Sequence, residues 1–338
     1  MILIAKGLRH VVHRLGWAVV VVVGVVTLAF AIARQLPGDP VRMVLGPQAR
    51  PADVARARRV YALDEPVLVQ YGRFWKRLVH REAASDPPGD HATCGNAEGR
   101  WHVDLGFSYR YRQPVVSLIA DKAPKSVELA LAAVVIQVVL GFGVGMFAAH
   151  RRGTALDQLA TGGTLVAVSA PIFALGLLLQ YVLAHRLGWL PTDGYGETPT
   201  EQLTSLVLPA LTMGLYGSAL YARLSRDEIS SALEQDYVRA ARARGAGTFR
   251  VLVVHALRNA LLPLATLMVL DLGALVGGAI VTEKLFRWPG MGAMAVDAMI
   301  HRDGPVIFGT VLFSAVAIVA ASLLVDLVTV VLDPRLRR

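Results

Sequence analysis

The sequence predicts an all-α integral membrane protein with six transmembrane helices, and three observations carry that prediction. Of 338 residues, 54% are hydrophobic and only 17% charged, where an average soluble domain has about 25% charged residues. The apolar residues gather in six runs, each near the roughly 20 residues that a membrane-spanning helix needs. Basic residues also divide unequally between the two sides that those runs define. Disorder needs low hydrophobicity with high net charge and is excluded for most of the chain. A disulfide scaffold is excluded because Cys94 is the only cysteine.

The runs are residues 16–33, 126–149, 159–184, 203–222, 260–282 and 306–332. The first follows the basic residues Lys6, Arg9 and Arg14, and Ala29, Ala31 and Ala33 resemble a signal-peptide cleavage site. Its apolar stretch of about 18 residues exceeds the 7–15 of a cleaved signal, so a retained anchor is expected.

Residues 1–15 and 333–338 are then expected to be cytoplasmic termini. The net charge of +9 would suggest nucleic-acid binding in a soluble chain. Here 15 Lys and Arg fall on the cytoplasmic side against 4 in the short outer loops, which supports that orientation. The other 15 lie in the outer segment 34–125, too long to follow the rule. Among the acids, only Glu128, Asp271 and Asp326 fall within spans. Glu128 and Asp326 are near span ends, but Asp271 is in the middle of the fifth.

The outer segment is polar, basic and rich in proline. From Pro66 to Val79 its apolar residues at 67, 71, 74, 75 and 78 have helical spacing, opposite Arg73, Lys76 and Arg77. A short amphipathic helix is expected there, on the outer membrane face or against the bundle. Residues 83–104, with Pro87, Pro88, Gly89 and Asn96, lack periodicity and read as a flexible excursion.

The cytoplasmic segment 223–259 is the longest on its side and contains Asp236, Tyr237, Val238, Arg239, Ala240, Ala241, Arg242, Ala243, Arg244 and Gly245 in sequence. Alanine and arginine favour helix, and Gly245 is a natural stop. Small Ala240 and Ala241 would let such a helix approach a partner, with arginines around it. A second helical run, 249–260, leads to the fifth span, with Pro263 at its start. The physical picture is a rigid protrusion able to receive a push from a cytoplasmic partner; a solvated loop obeying the charge rule is the alternative, and composition leaves both open.

A carboxylate at the bilayer centre costs about 2.5–3.5 kcal/mol on insertion scales. Asp271 must therefore face the bundle or a wet cavity, either contacting a cationic substrate or making a helix–helix hydrogen bond. Gly141, Gly143 and Gly145 mimic part of a dinucleotide fingerprint but lie inside a span, so close helix packing is the expected use, as for Gly273 and Gly277. Pro171, Pro209 and Pro263 are expected to kink or start spans. No Walker A loop, Gly-x-Ser-x-Gly or His-Glu-x-x-His motif is present, and His91 with Cys94 does not complete a metal site. No catalytic residue, cofactor or metal is expected. Two rivals are an integral-membrane enzyme using Asp271, Glu128 and His255, and a proton-driven transporter using Asp271.

The segment around Gly245 resembles the cytoplasmic coupling loop of permeases of ABC importers, and the chain is similar to the first permease of the oligopeptide, dipeptide and nickel branch. Leu36-Pro37-Gly38-Asp39-Pro40, Leu63-Asp64-Glu65-Pro66 with Gln70-Tyr71, and Asp104-Leu105-Gly106-Phe107-Ser108 carry the resemblance in the first half. His255 to Pro263, Gly278 to Glu283, Phe286 to Gly292, and Asp333-Pro334-Arg335 carry it in the second. Arg239 stands where the broader family has glutamate, which is usual for the peptide branch. Residues 83–102 look like an insertion, and Asp271 replaces an expected neutral polar residue.

The resemblance implies a type I ABC importer transmembrane domain, residues 126–332 being its core, in a bacterial plasma (inner) membrane. It implies a second similar permease, two cytoplasmic ATPase subunits that hydrolyse ATP, and an extracytoplasmic binding protein. The implied cargo is a di- or oligopeptide, with nickel or other small solutes as alternatives. It places Tyr237, Arg239, Ala240, Ala241 and Gly245 at the ATPase contact.

Overall fold

The computed structural model describes residues 2–35, 48–60, 64–81 and 101–332. Residues 36–40, Leu63, most of the excursion with His91 and Cys94, and the segment 333–335 lie outside the described residues.

The chain forms two compact units, the first being Met1–Pro124 with Met294–Val316. Helix α1, Ile2–Gln35, contains the first apolar run. Helix α2, Pro51–Val60, starts on a proline and carries Asp53 in its first turn, both favourable at a helix N-terminus. No apolar run marks this helix in the sequence. Helix α3, Val67–Leu78, is the expected amphipathic helix. Its Phe74 ring meets Phe308 with centroids 4.5 Å apart, and its Tyr71 ring meets Phe30 at 5.2 Å. The apolar stripe thus packs on α1 and on the segment around Phe308. Strands β1 (Val79–Arg81) and β2 (Trp101–Val103) pair antiparallel, with His80 opposite His102, and close the base of the excursion. Nearby, fully buried Asp303 accepts hydrogen bonds from Ser108 Oγ at 2.6 Å and the Arg110 N–H at 3.0 Å.

The second unit is Lys125–Ala293 with Ala317–Arg338. Helix α4, Val115–His150, holds the second apolar run and extends it by eleven residues at its N-terminal side. The third run is broken. Helix α5, Ala155–Ser169, ends before Pro171, where the missing N–H and the restriction on the preceding residue stop a helix. Helix α6, Ile172–Leu179, then continues as a π-helical stretch, Gln180–Arg186. Helix α7, Pro199–Leu233, starts at a capping box in which Thr198 accepts from the Glu201 N–H and the Glu201 side chain caps the Thr198 N–H. It contains the fourth run and continues well into the segment read as a cytoplasmic loop.

Beyond it come α8 (Asp236–Ala243), α9 (Thr248–Arg250), a π-helical stretch Val251–Ala256, and α10 (Leu257–Val276). Helices α11 (Ile280–Leu285), α12 (Met291–Ile300) and α13 (Gly304–Leu332) complete the chain. Pro209 and Pro263 both lie inside helices.

By length and composition, 3 helices among the described residues can cross a membrane: α4, α7 and most of α13. The pair Thr248–Ala256 and Ala260–Val276 qualifies as one span bent by 59°. Gly16–Ala31 and Ile172–Arg186 are shorter apolar helical stretches. Helix α4 passes tightly over α7 at two glycines. A Cβ on Gly141 would fall 2.3 Å from Tyr221 Cβ, and one on Gly145 would fall 1.9 Å from Ser225 Oγ. Gly273 likewise faces Ala321. The i, i+4 glycine pair in α4 is therefore a packing device. Exposed Leu131, Val135 and Val139 on α4 and Leu324 and Leu327 on α13 give the apolar exterior that suits a lipid solvent.

Candidate coupling surface and membrane-embedded acid

Helix α8 owes its position to two buried side chains and its end to one glycine. Val238 and Ala241, three residues apart on one face, are 0% and 3% exposed. The helix rests on the end of α7 and on the π-helical stretch Val251–Ala256. There, Ile229, Leu252, Ala256, Ala260 and Leu264 form an apolar core with Ala149. At the C-terminus, the Gly245 N–H donates to the Arg242 carbonyl at 2.9 Å and the Ala246 N–H to the Ala241 carbonyl at 3.1 Å. This is the Schellman pattern, which needs a left-handed residue, and Gly245 has φ of +84°.

The opposite face is open. Tyr237, Arg239, Ala240, Arg242, Arg244, Gly245 and Arg250 are exposed. Asp236 lies 3.3 Å from Arg239 in an exposed pair, worth at most about 1 kcal/mol. The surface is therefore net basic around a tyrosine and a small alanine. Of the five residues singled out from the sequence, Tyr237, Arg239, Ala240 and Gly245 face outward. Ala241 does not: it seats the helix against its own chain, so enlarging it would displace α8 from below.

The turn between α4 and α5 is fastened to α7. Arg226 Nε donates to Asp157 Oδ1 at 2.6 Å and Arg226 Nη2 to Oδ2 at 2.7 Å, a bidentate pair with Asp157 buried. The Gly153 N–H also donates to Asp157 Oδ2, at 3.0 Å. Arg226 and then Gly153 hold the Asp157 carboxyl down to about 2. Because the folded value lies below the usual one of about 4, the pair stabilises the fold above pH 4 and loses that contribution as pH falls toward 2. The melting-temperature difference between wild type and Asp157→Asn in detergent is expected to be constant above about pH 5 and to shrink below about pH 4.

Asp271 lies on α10 and has a partner in its own chain. The Tyr221 hydroxyl, on α7, donates to Asp271 Oδ2 at 3.1 Å, and Tyr221 is 1% exposed. Helix–helix hydrogen bonding, one of the two roles open from the sequence, is thus present. The Tyr195 hydroxyl donates to Glu128 Oε2 at 3.2 Å, while His255 lies in the π-helical stretch before α10. Glu128 and Asp271 thus have different tyrosine partners. Among the described residues no group of three or more His, Cys, Asp or Glu is arranged to hold a metal.

Glu283, which closes the Gly278–Glu283 motif, is a further buried acid. Glu283 is 0% exposed on α11 and accepts from Ser126 Oγ at 2.8 Å and from the Ala293 N–H at 2.8 Å. Ser126 Oγ accepts in turn from the Met291 N–H at 2.7 Å. The fully buried Trp288 donates through Nε1 to the Lys125 carbonyl at 2.9 Å. One carboxylate thus ties the start of α12 to α4. The signal was an acid and a serine flanking apolar runs, which alone looks like two span ends.

Residues 141–338 match the family model described as the binding-protein-dependent transport system inner membrane component. Residues 7–130 match the model for the N-terminal part of such membrane components. The chain belongs to this family. Among its relatives is a putative peptide transport system permease protein of Brucella abortus (strain 2308), 35% identical over 330 residues, covering 97% of this chain and 98% of that protein. A dipeptide transport system permease protein of Alkalihalophilus pseudofirmus is 32% identical over 353 residues, covering 98% of this chain and 99% of that protein. The fold is similar to a chain of the inward-facing MetNI methionine ABC transporter, with TM-score 0.55, 16% identity, and coverage of 64% of this chain and 97% of that one. The permease is therefore a multi-pass membrane subunit of an ABC importer, as the sequence motifs implied.

Proposed function

We propose that this permease forms half of the pathway of an ATP-driven importer for di- or oligopeptides in a bacterial inner membrane. It crosses six times with both termini cytoplasmic and carries no catalytic site of its own. A second similar permease completes the pathway, two cytoplasmic ATPase subunits supply the energy, and an extracytoplasmic binding protein delivers the cargo. The observation that carries this reading is the outward, arginine-rich face of α8 on a helix continuous in sequence with α7. ATPase closure would push that face, with Tyr237, Arg239, Ala240 and Gly245 at the contact and Ala241 holding the helix in place. The tilt of the attached helices would then change which side the pathway opens to. Peptide cargo is supported by the peptide and dipeptide relatives; nickel or another small solute is the alternative within the same family.

Co-purification of ATPases with the tagged chain tests the assembly. Uptake into proteoliposomes with the cognate binding protein, over a panel of peptides and nickel chelates, tests the cargo. Lack of ATPases in the purified complex would sink the first, and uptake of nickel chelates alone the second.

Asp271 is assigned to the pathway, where it would meet the cationic amino terminus of a passing peptide. Asp271→Asn keeps an acceptor for the Tyr221 hydroxyl but removes the charge. Uptake of peptides with a free amino terminus is expected to fall relative to N-acetylated ones. Unchanged uptake of every substrate would remove Asp271 from the pathway.

A further inference from the structure

The ion pairs of the α4–α5 turn are not used by the mechanism above, yet they lie beside the element that receives the push. Asp157 holds both ends of a small network. Its Oδ2 caps the turn through the Gly153 N–H, and its two oxygens grip Arg226 on α7. A second pair joins the same turn to the same helix: Arg152 Nη1 donates to Glu234 Oε1. Glu234 caps the end of α7, two residues before α8 begins at Asp236. The two pairs differ in kind. Asp157 is buried and its contact is bidentate, which fixes orientation as well as distance. The Arg152–Glu234 pair is more than half exposed on both sides, so salt screens it.

The turn itself is closed by further hydrogen bonds where these pairs meet it. Thr154 N and Oγ both donate to the Arg151 carbonyl, at 3.0 and 2.6 Å, and Thr161 Oγ donates to the Asp157 carbonyl at 2.8 Å. The Arg226 guanidinium is therefore held by a carboxylate in the first turn of α5 that is itself fixed by the Gly153 N–H.

We infer that Asp157 and Arg226, aided by Arg152 and Glu234, are positioning residues of the transport cycle: they brace the α4–α5 turn to α7, so that a displacement of α8 moves α5 with α7. Without the brace, a push on α8 would be absorbed by sliding between α7 and α5. The inference rests on α8 being the ATPase contact.

The test uses the full complex with its ATPases, Cys94 replaced by serine, and spin labels at two exposed sites, Leu159 on α5 and Leu220 on α7. The α5–α7 distance is measured without nucleotide and in the vanadate-trapped state. In the wild-type background the two distances are expected to agree. In Asp157→Asn they are expected to differ by about 2 Å or more, the scale of helix shifts in switching proteins. The exchange Asp157→Arg with Arg226→Asp is expected to bring them back together, which a purely local packing role for Asp157 would not do. Distances that agree in Asp157→Asn, or that differ in the wild type, overturn the brace. Should Asp157→Asn not insert, Glu234→Arg and the exchange with Arg152→Glu decide in the same way on the exposed pair. Absence of ATPases from the wild-type complex would instead defeat the reading of α8, a separate outcome.

Discussion

Gly245→Asp is expected to abolish ATP-dependent uptake while leaving the permease inserted at near wild-type amounts. The residue has φ of +84°, and a side chain in that conformation costs about 1–2 kcal/mol. That is too little to unfold a protein whose stability is typically 5–15 kcal/mol. It weakens the left-handed turn in which Gly245 and Ala246 donate to the Arg242 and Ala241 carbonyls to end α8. A new carboxylate would also appear among exposed Arg239, Arg242, Arg244 and Arg250. No atom lies within 4 Å of a Cβ built on Gly245, so the effect comes from backbone and charge, not from a clash within the chain. Gly245→Ala carries the backbone cost without the charge and is expected to retain part of the activity. Uptake by proteoliposomes, compared with the amount of permease in the membrane fraction, checks both variants. Normal uptake by Gly245→Asp would mean that α8 does not receive the ATPase.

Loss of the Glu283 carboxylate is expected to have a different effect, on the folded protein itself. Glu283→Ala leaves the Ser126 hydroxyl and the Ala293 N–H buried without their acceptor. Each unsatisfied group costs about 1–3 kcal/mol, so the loss is roughly 2–6 kcal/mol from a stability of that order. The permease is expected to be scarce in membranes and to melt well below wild type in detergent. Glu283→Gln retains one acceptor and is expected to be much milder. Gly290→Ala tests the same contact from the other side, since its Cβ would lie 2.4 Å from the Glu283 carboxyl. Wild-type melting of both Glu283→Ala and Gly290→Ala would show that the network does not hold α11 and α12 to α4.

Helix α8 and its stop at Gly245 were legible, because helix propensity and a left-handed terminus depend on neighbouring residues. The phase of that helix was not. Ala240 and Ala241 are adjacent and alike in chemistry, and only the seating of Val238 on the underlying core turns one outward and the other in. Helix α2 was hidden because its residues are polar on average and its start signal, Pro51 with Asp53, lies in a polar, proline-rich segment. The extension of α7 to Leu233 was hidden in the same way, behind the charges that mark the cytoplasmic side.

Composition, charge placement and ordered motifs were enough for the membrane class, the positions of most apolar runs, the charge asymmetry and the family. All of these follow from local composition, from partition between lipid and water, or from motifs in order. Mid-span placement also meant that Asp271 needs a polar neighbour, since an unsatisfied carboxylate in hydrocarbon is too costly. Which neighbour was decided only by the tertiary structure. Tyr221 lies 50 residues from Asp271, Arg226 lies 69 from Asp157, and Ser126 lies 157 from Glu283. Such pairs depend on which helices pack side by side and at what height. That is settled by close contacts such as those of Gly141 and Gly145 on α7, and no local pattern of residues encodes it.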